Sequence, residues 1–424
     1  MRTLLATTRD RFLLALQYQD YRNLWIATTF SASAAWALII ARGLLAFELT
    51  DGLLWSGIVT FAAMVPRLFA TPISGFLADR FDRQKLLRWI FALNMGNNIL
   101  LALLVMTGLV GPWVLTLLAL VNGTLRASQM TTATALIPNL VPKEHLMNAI
   151  ALNQATQQGA RLAGAMAIAP LLGLVNIESA FWLCSGLYFL GFLQVSRMTT
   201  RSTGVIDESQ GFWANMFEGF VYVYKRPIIM SMVLLVLAHC AFTMSYESML
   251  PAISEDKMGT GRVGVSYLIA GVGAGALFAS VFLAGVRSES TRGKLFLFFA
   301  FSSALGPILL AWSDNTGLSV AATVIMGANQ AGFMTISHTI IQSLTEDHVR
   351  GRVAGVYSVH VGGSMAVTNM ANAAFADVFS ASAVLVVGGL IFVAAVFVSL
   401  GVNPLRRLYF PRPEPAAAVG TPAD

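Results

Sequence analysis

The sequence predicts an all-α membrane protein with twelve transmembrane helices in two pseudo-symmetric six-helix bundles. Of its 424 residues, 56% are hydrophobic and only 11% are charged, whereas a soluble domain carries roughly 25% charged residues. Twelve apolar stretches are long enough to cross a bilayer, which takes about 20 residues of helix. A helix satisfies its own backbone hydrogen bonds, which lipid cannot do. The composition therefore excludes an ordinary water-soluble globule.

Short polar or turn-forming joints separate neighbouring apolar stretches. Two of them read TGLVGPW (Thr107 to Trp113) and SDNTG (Ser313 to Gly317), and both are rich in residues that favour turns. The expected helices span residues 23–47, 53–78, 86–108, 113–137, 146–172, 176–197, 227–252, 262–286, 294–312, 316–343, 351–378 and 380–402.

An internal repeat divides the chain into two halves. The segment LIPNLVPKEHLMNAIAL (136–152) is similar to IIQSLTEDHVRGRVAGV (340–356), and each joins the fourth and fifth expected helices of its half. Duplicated six-helix halves are typical of carriers that rock about a central site. We therefore expect an N-terminal bundle, a central cytoplasmic loop with a short interfacial helix, a C-terminal bundle and a cytoplasmic tail. Their predicted limits are 1–197, 198–226, 227–402 and 403–424.

The distribution of Lys and Arg predicts the orientation of the helices. One set of alternate loops is strongly basic, whereas the other keeps only Lys257 and Arg262. Loops rich in Lys and Arg stay in the cytoplasm. We therefore expect a multi-pass protein of a bacterial inner membrane with both termini cytoplasmic. The same orientation explains the net charge of +6 better than nucleic-acid binding does, because no clustered basic module with aromatic platforms is present.

The joint between the second and third expected helices carries a specific resemblance. It reads GFLADRFDRQK (Gly75 to Lys85) and resembles the G-x-L-a-D-r-x-g-r-k signature of the major facilitator superfamily, with Asp82 where a Gly is usual. Further stretches resemble the branch that contains the enterobactin exporter and macrolide efflux proteins. They are DYRNLW (20–25), LIPNLVPKEHLMNAIALN (136–153) and RGRVAGVYSVHVGG (350–363). The resemblance implies a secondary carrier, with export as the common direction.

The charged joint has a physical interpretation as a gating motif. Asp79 could lie against the positive end of the eleventh helix, near Gly351, while Gly75 would allow the backbones to approach. Arg80 and Arg83 could pair with acids of either half, so that the motif would hold the inward mouth shut. Lys85 completes the motif. The alternative is that these charges only mark a cytoplasmic loop.

Several polar side chains fall in the middle of expected helices. An unpaired Arg there costs from a few to more than about ten kcal/mol, so such residues should face a wet cavity. Helical spacing agrees, because polar residues in the fourth and fifth helices share single faces. The predicted substrate cavity consists of Arg67, Asn122, Arg126, Gln129, Gln158 and Arg161. Its positive charge favours an anionic or acceptor-rich substrate, although Arg161 could equally tie helices together.

Coupling to an ion gradient needs a group that can change its protonation. The candidates are Glu247, in the outer part of the seventh helix, and His239 two turns earlier. His338 and His360 are weaker alternatives, because a single His more often bonds one helix to another. We expect Arg42, near the outer end of the first helix, to extend its guanidinium toward the membrane surface.

The sequence thus predicts a monomeric, proton-coupled exporter of an amphipathic, possibly anionic, organic small molecule of the drug or siderophore type. The first alternative is an importer or flippase for an anionic metabolite or lipid. A membrane enzyme or receptor is the alternative from another class, but no catalytic or nucleotide-binding motif supports it. Cys184 and Cys240 stand far apart, and no cofactor, metal or nucleic acid is expected.

Overall fold

The computed structural model describes residues 13–200, 202, 212–283, 289–346 and 349–410. Within these ranges twelve helical segments, α1 to α12, are long enough to cross a membrane. They are α1 Gln19–Thr50, α2 Leu53–Met64 with Arg67–Arg80, α3 Arg83–Met106, α4 Pro112–Leu136, α5 Leu146–Leu174, α6 Ile177–Ser196, α7 Pro227–Met258, α8 Gly261–Leu283, α9 Glu289–Ser302 with Leu305–Trp312, α10 Thr316–Ser343, α11 Arg350–Val378 and α12 Ala381–Gly401. The predicted all-α membrane fold is confirmed.

Length and hydropathy separate the helices into two groups. Among the described residues eight helices are both long and apolar enough to span a bilayer. They are α1, α2, α3, α6, α7, α8, α9 and α12. The other four, with 25 to 29 residues each, have the length but carry more polar side chains. Polar residues on long spanning helices mark surfaces that face other helices or a cavity.

Local sequence sets several helix ends. The Asp82 side chain caps α3 by accepting hydrogen bonds from the backbone N–H groups of Gln84 and Lys85 at 2.9 and 3.1 Å. Asn315 caps α10 in the same way through the N–H of Leu318 at 3.0 Å. Such caps satisfy donors that a helix start leaves free. Asp82, the departure from the family signature, therefore gives α3 a firm beginning.

The central joint is attached to both halves of the chain. Residue 201 and residues 203–211 lie outside the described part, so the predicted limits 198–226 stay a prediction. Before the gap, the N–H of Thr200 donates to Asp20 at 2.8 Å. After the gap, Glu218 of the helix Phe212–Lys225 forms an ion pair with Arg352 of α11. This helix lies where the sequence predicted an interfacial one.

The first and the last six helices approach each other closely near one end of the bundle, at Gly57, and at mid-helix, at Gly273. We call this end the opposite face, because the described chain ends and most basic loops lie at the other end, the basic face. A Cβ on Gly57 of α2 would lie 2.7 Å from the Cβ of Ala373 on α11, and one on Gly273 of α8 would lie 2.7 Å from the N of Leu162 on α5. Only residues without a side chain allow backbones to approach this far.

Polar contacts reinforce the closure at the opposite face. Asp377 at the end of α11 accepts hydrogen bonds from the N–H groups of Leu53 and Leu54 at 2.7 and 2.8 Å. The carboxylate thus caps the start of α2, where the helix dipole favours negative charge. Next to it, Arg262 donates to both oxygens of Glu48 at 2.5 and 2.8 Å.

Other contacts between the halves lie at mid-helix or nearer the opposite face. They join Arg161 to Tyr246 and Glu247, and Arg262 to Glu48. A Cβ on Gly75, the glycine of the charged motif, would meet no atom within 4 Å. The described contacts therefore close the opposite face.

The contact at Gly57 predicts that a larger side chain at this position opens the opposite face. Gly57→Val should weaken the closed opposite face by about 1–3 kcal/mol, as overpacking does, and shift the population toward states that are open there. Spin labels at the exposed residues Leu109 and Asp314, one in each half, would then report longer distances. Gly96→Val is the matched control, because a Cβ there meets nothing within 4 Å. Unchanged distances in Gly57→Val would contradict the assignment.

Candidate functional site

The candidate site is organised by an interruption in α7. A π-helical turn spans Cys240–Met244, and Ser245 and Tyr246 then leave the helix before it resumes. Polar side chains of neighbouring helices bind the released carbonyls: Gln330 donates to the oxygen of Thr243 and Asn372 to that of Ser245, each at 2.7 Å. Because lipid cannot satisfy backbone groups, such an irregular segment survives only inside the protein or beside a cavity.

The interruption brings α7 against Arg161 of α5. Nη2 of Arg161 donates to the Tyr246 hydroxyl at 2.7 Å and lies 3.8 Å from Oε1 of Glu247. The guanidinium carbon lies 4.3 Å from the ring centroid of Trp36 on α1, a cation–π distance. Arg161 and Glu247 are only 8% and 6% exposed. A charged cluster thus joins the two halves at mid-membrane depth.

The charged cluster contains polar atoms without hydrogen-bond partners among the described residues. Nε of Arg161 and Oε2 of Glu247 are buried and have no hydrogen-bond partner among the described residues. Glu247 also lies within electrostatic range of Arg67 and Arg126. A buried pair that is incompletely hydrogen-bonded contributes little stability, so these groups are better suited to changing partners than to holding the fold.

Three arginines line a small cavity among α1, α2 and α4. Arg42, Arg67 and Arg126 line it together with Thr60 and Asn122, and its volume is about 30 Å³. Arg42 is only 3% exposed, and its Nε and Nη2 have no partner in the described structure. The expectation that Arg42 reaches toward the membrane surface is wrong: its side chain turns inward to the cavity.

A second cavity continues from Arg126 toward the basic face. It has a volume of about 100 Å³ and lies among α1, α4 and α5, with Ser31, Gln129 and Gln157 in its lining. Gln129 donates to the Ser31 hydroxyl at 2.5 Å, while its Oε1 has no partner in the described part of the chain. Arg126 lines both cavities, so its side chain lies between them.

Two of the predicted substrate-cavity residues, Asn122 and Gln158, contribute less to the cavity lining than expected. Asn122 borders the small cavity, but its amide donates to Asn94 of α3 at 2.6 Å, which ties two helices together. Gln158 is half-buried one turn before Arg161 and does not line either cavity. Its neighbour Gln157 lines the larger cavity instead. A shift of one residue turns a helical side chain by about 100°, which spacing alone does not resolve.

His239 lies apart from the charged cluster. Its Nε2 pairs with the Ser303 hydroxyl at 2.6 Å, and its ring stacks on Phe333 with centroids 4.1 Å apart. Phe392 packs edge-on at 5.1 Å. The side chain is fully buried, so the geometry is that of a residue bonding α7 to α9 within an aromatic core.

The charged motif lies at the basic-face end of α2. Arg83 is anchored within the first half, because it donates to the carbonyl oxygens of Ala78 and Ala135 at 2.9 and 2.8 Å. Arg80 and Lys85 are exposed. The side chain of Asp79 lies outside the described residues.

Sequence reasoning missed three residues of the site. Arg42 was assigned to the membrane surface, and neither Tyr246 nor Trp36 was singled out. Tyr246 precedes Glu247 in a stretch of small and polar residues, which could have indicated the break. No sequence signal pairs Trp36 with Arg161, because the two residues meet only through the packing of α1 against α5.

Known proteins resemble this chain in sequence. Residues 13–408 match the family described as Transmembrane secretion effector. The multidrug efflux pump Tap of Mycobacterium bovis is 24% identical over 347 residues, which cover 78% of this chain and 80% of Tap. The MFS-type transporter YfiS of Bacillus subtilis is 22% identical over 214 residues, so the match spans 49% of this chain and about half (50%) of that relative.

Solved structures show the same fold. The nucleoside transporter NupG superimposes with a TM-score of 0.72 at 12% identity, over 91% of this chain and 99% of NupG. A POT family transporter in complex with 5-aminolevulinic acid gives a TM-score of 0.70 at 10% identity, over 91% and 96% of the two chains. At such identities the likeness concerns the fold alone. Together with the family match over nearly the whole sequence, it leads to one conclusion: the chain belongs to the transmembrane secretion effector family of major facilitator transporters.

Proposed function

We propose that the protein is a monomeric secondary active exporter of an amphipathic organic compound of the drug or siderophore type, driven by exchange for protons. The efflux relative supports the direction of transport, and the basic loops support a bacterial inner membrane with both termini in the cytoplasm. The basic face is then cytoplasmic. In this orientation the described structure corresponds to the state that loads substrate from inside the cell.

The contact between Arg161 and Glu247 carries the proposal. It joins the two halves beside the interruption of α7 at Ser245 and Tyr246, and both groups keep polar atoms without a partner among the described residues. A proton taken up by Glu247 removes the negative charge and frees Arg161. Loss of that proton to the cytoplasm restores the pair. A group whose charge controls a contact between the halves can link proton movement to their rocking.

A second candidate is an importer or flippase for an anionic metabolite or lipid. The excess of arginines around the two cavities favours it, because a membrane-embedded cation attracts a negatively charged headgroup. Transport direction separates the two functions. Right-side-out vesicles accumulate the substrate of an importer, whereas inverted vesicles accumulate that of an exporter.

The first test measures proton release from energised inverted vesicles. A panel of drug-like cations and catecholate chelators is added, and a pH-sensitive acridine dye reports protons leaving the lumen. We expect at least one compound to release protons with the wild-type protein and none to do so with Glu247→Gln. The matched control is Glu255→Gln, an exposed acid on the same helix. Equal proton release in wild type and Glu247→Gln would refute the role of Glu247.

We also propose that two carboxylates alternate as caps of α2 and α11. Asp377 caps the start of α2 while the opposite face is closed. Asp79, at the other end of α2, would cap the start of α11 when the basic face closes. Each carboxylate then stabilises one end state through the dipole of the facing helix. The charged motif acts as a cytoplasmic gate in this scheme.

The two caps should act in opposite directions. Asp377→Ala removes a capping carboxylate, worth about 0.5–2 kcal/mol, and should open the opposite face. Asp79→Asn should favour opening of the basic face and slow transport without weakening substrate binding. Spin-label distances across both faces measure the populations. Asp82→Asn is the control, because Asn caps a helix as well as Asp does. Shifts of the same sign in both variants would contradict the scheme.

Removing Arg161 should expose its coupling to Glu247. Arg161→Met leaves a buried carboxylate without its main partner, a change that costs about 3–5 kcal/mol when a buried pair is broken. The apparent Tm should therefore fall, and the double variant with Glu247→Gln should recover part of the loss. A thermal unfolding series of the four proteins gives the coupling. Additive losses would indicate that the two groups act independently.

A further inference from the structure

Positive charge in the first half exceeds what the described residues can neutralise. Arg126 lies within electrostatic range of both Arg67 and Arg42, and all three line the small cavity among α1, α2 and α4. No Asp or Glu lines either cavity in the described structure. Glu247, the one carboxylate within range, is in salt-bridge contact with Arg161. The three arginines therefore repel one another around the small cavity.

No other described group near the three arginines carries a negative charge. Tyr188 and Cys184 lie within range of Arg42, but a phenol and a thiol are neutral at ordinary pH. Asn122 donates its own amide to Asn94. Two nitrogens of Arg42 thus remain buried without an acceptor among the described residues. An uncompensated buried donor costs about 1–3 kcal/mol, and more when it is charged, so a bound anion would stabilise this side chain.

We propose that Arg42, Arg67 and Arg126 form an anion-binding subsite that takes one carboxylate, phosphate-like or halide-sized group. The subsite deepens the proposed export function, on which it rests, by assigning the acidic group of the substrate to these three side chains. Planar guanidinium groups bind such oxyanions through paired N–H donors.

The size of the space limits what can bind. A cavity of about 30 Å³ holds one or two groups the size of a water molecule. A single acidic group fits, whereas an aromatic ring does not. The body of the substrate would then occupy the larger cavity toward the basic face, which begins at Arg126. The subsite is separate from the Arg161–Glu247 pair, so charge recognition and proton transfer use different residues.

The first experiment compares two fluorescent probes with the same apolar body. Pyrenebutyrate carries a carboxylate and pyrenebutanol a neutral hydroxyl, and their affinities for the purified protein are measured in detergent with HEPES as the only other anion. We expect the wild-type protein to bind pyrenebutyrate about tenfold or more tightly than pyrenebutanol, the effect of one charge-assisted hydrogen bond. Arg42→Met should abolish this preference and keep the affinity for pyrenebutanol. The exposed Arg88 provides the matched control, Arg88→Met. A preference for pyrenebutyrate that survives in Arg42→Met overturns the proposal, as does its absence in the wild-type protein.

Thermal unfolding provides an independent readout that does not depend on the probes. A buried cation destabilises the protein as long as no anion is bound to it, so Arg42→Met should raise the apparent Tm in HEPES alone. An Arg that merely ties helices together would lower it when removed. Added chloride, acetate or phosphate should raise the Tm of the wild-type protein by mass action and leave Arg42→Met unchanged. Equal shifts in the two proteins overturn the proposal.

The same series identifies the source of the anion. A larger rise in Tm with chloride than with the same concentration of acetate would assign the site to an inorganic ion, and a larger rise with acetate and pyrenebutyrate would assign it to the acidic group of a substrate. The outcome is independent of the transport test. A charge preference that Arg42→Met removes would stand even if no compound were exported, and export without a charge preference would leave the proposed function intact but refute the subsite.

Discussion

The cost of holding charge away from water governs this structure. Arg42, Arg67, Arg126, Arg161 and Glu247 lie in the middle parts of their helices, and the described salt-bridge contact among these five joins Arg161 to Glu247. A membrane protein cannot leave such groups against lipid. The fold therefore surrounds them with a polar interior that is built from Asn, Gln, Ser and Thr side chains and from the interrupted segment of α7.

The interruption of α7 and the arginines are parts of one arrangement. Continuous helix at Ser245 would leave no free carbonyls for Gln330 and Asn372, and it would change the direction in which Tyr246 and Glu247 point. The polar groups of α10 and α11 thus support the backbone that carries the only carboxylate facing the arginines in the described structure. Because this support comes from the last six helices and Arg161 from the first six, the charged cluster responds to their relative position.

Several individually modest contacts join the halves at mid-helix and at the opposite face. They include close backbone approach at Gly57 and Gly273, a capping carboxylate at Asp377 and the exposed ion pair Glu48–Arg262. Each of these contributes modestly, because exposed ion pairs are worth at most about 1 kcal/mol. Several weak contacts at one end can be exchanged for others at the far end, as the proposed transport cycle requires.

The sequence alone determined the helices, their number and their polar faces, because lipid imposes a length and an apolar composition that can be read residue by residue. It also indicated Arg67, Arg126, Arg161 and Glu247, since a charge in an apolar span is conspicuous wherever it lies. Only the tertiary structure decided that Arg42 turns inward, that Gln157 rather than Gln158 lines the cavity, and that His239 belongs to an aromatic core. Those outcomes depend on helix rotation and on contacts between helices distant in the chain. A periodic pattern leaves both of these open, because a rotation of one residue keeps the pattern but exchanges the neighbours.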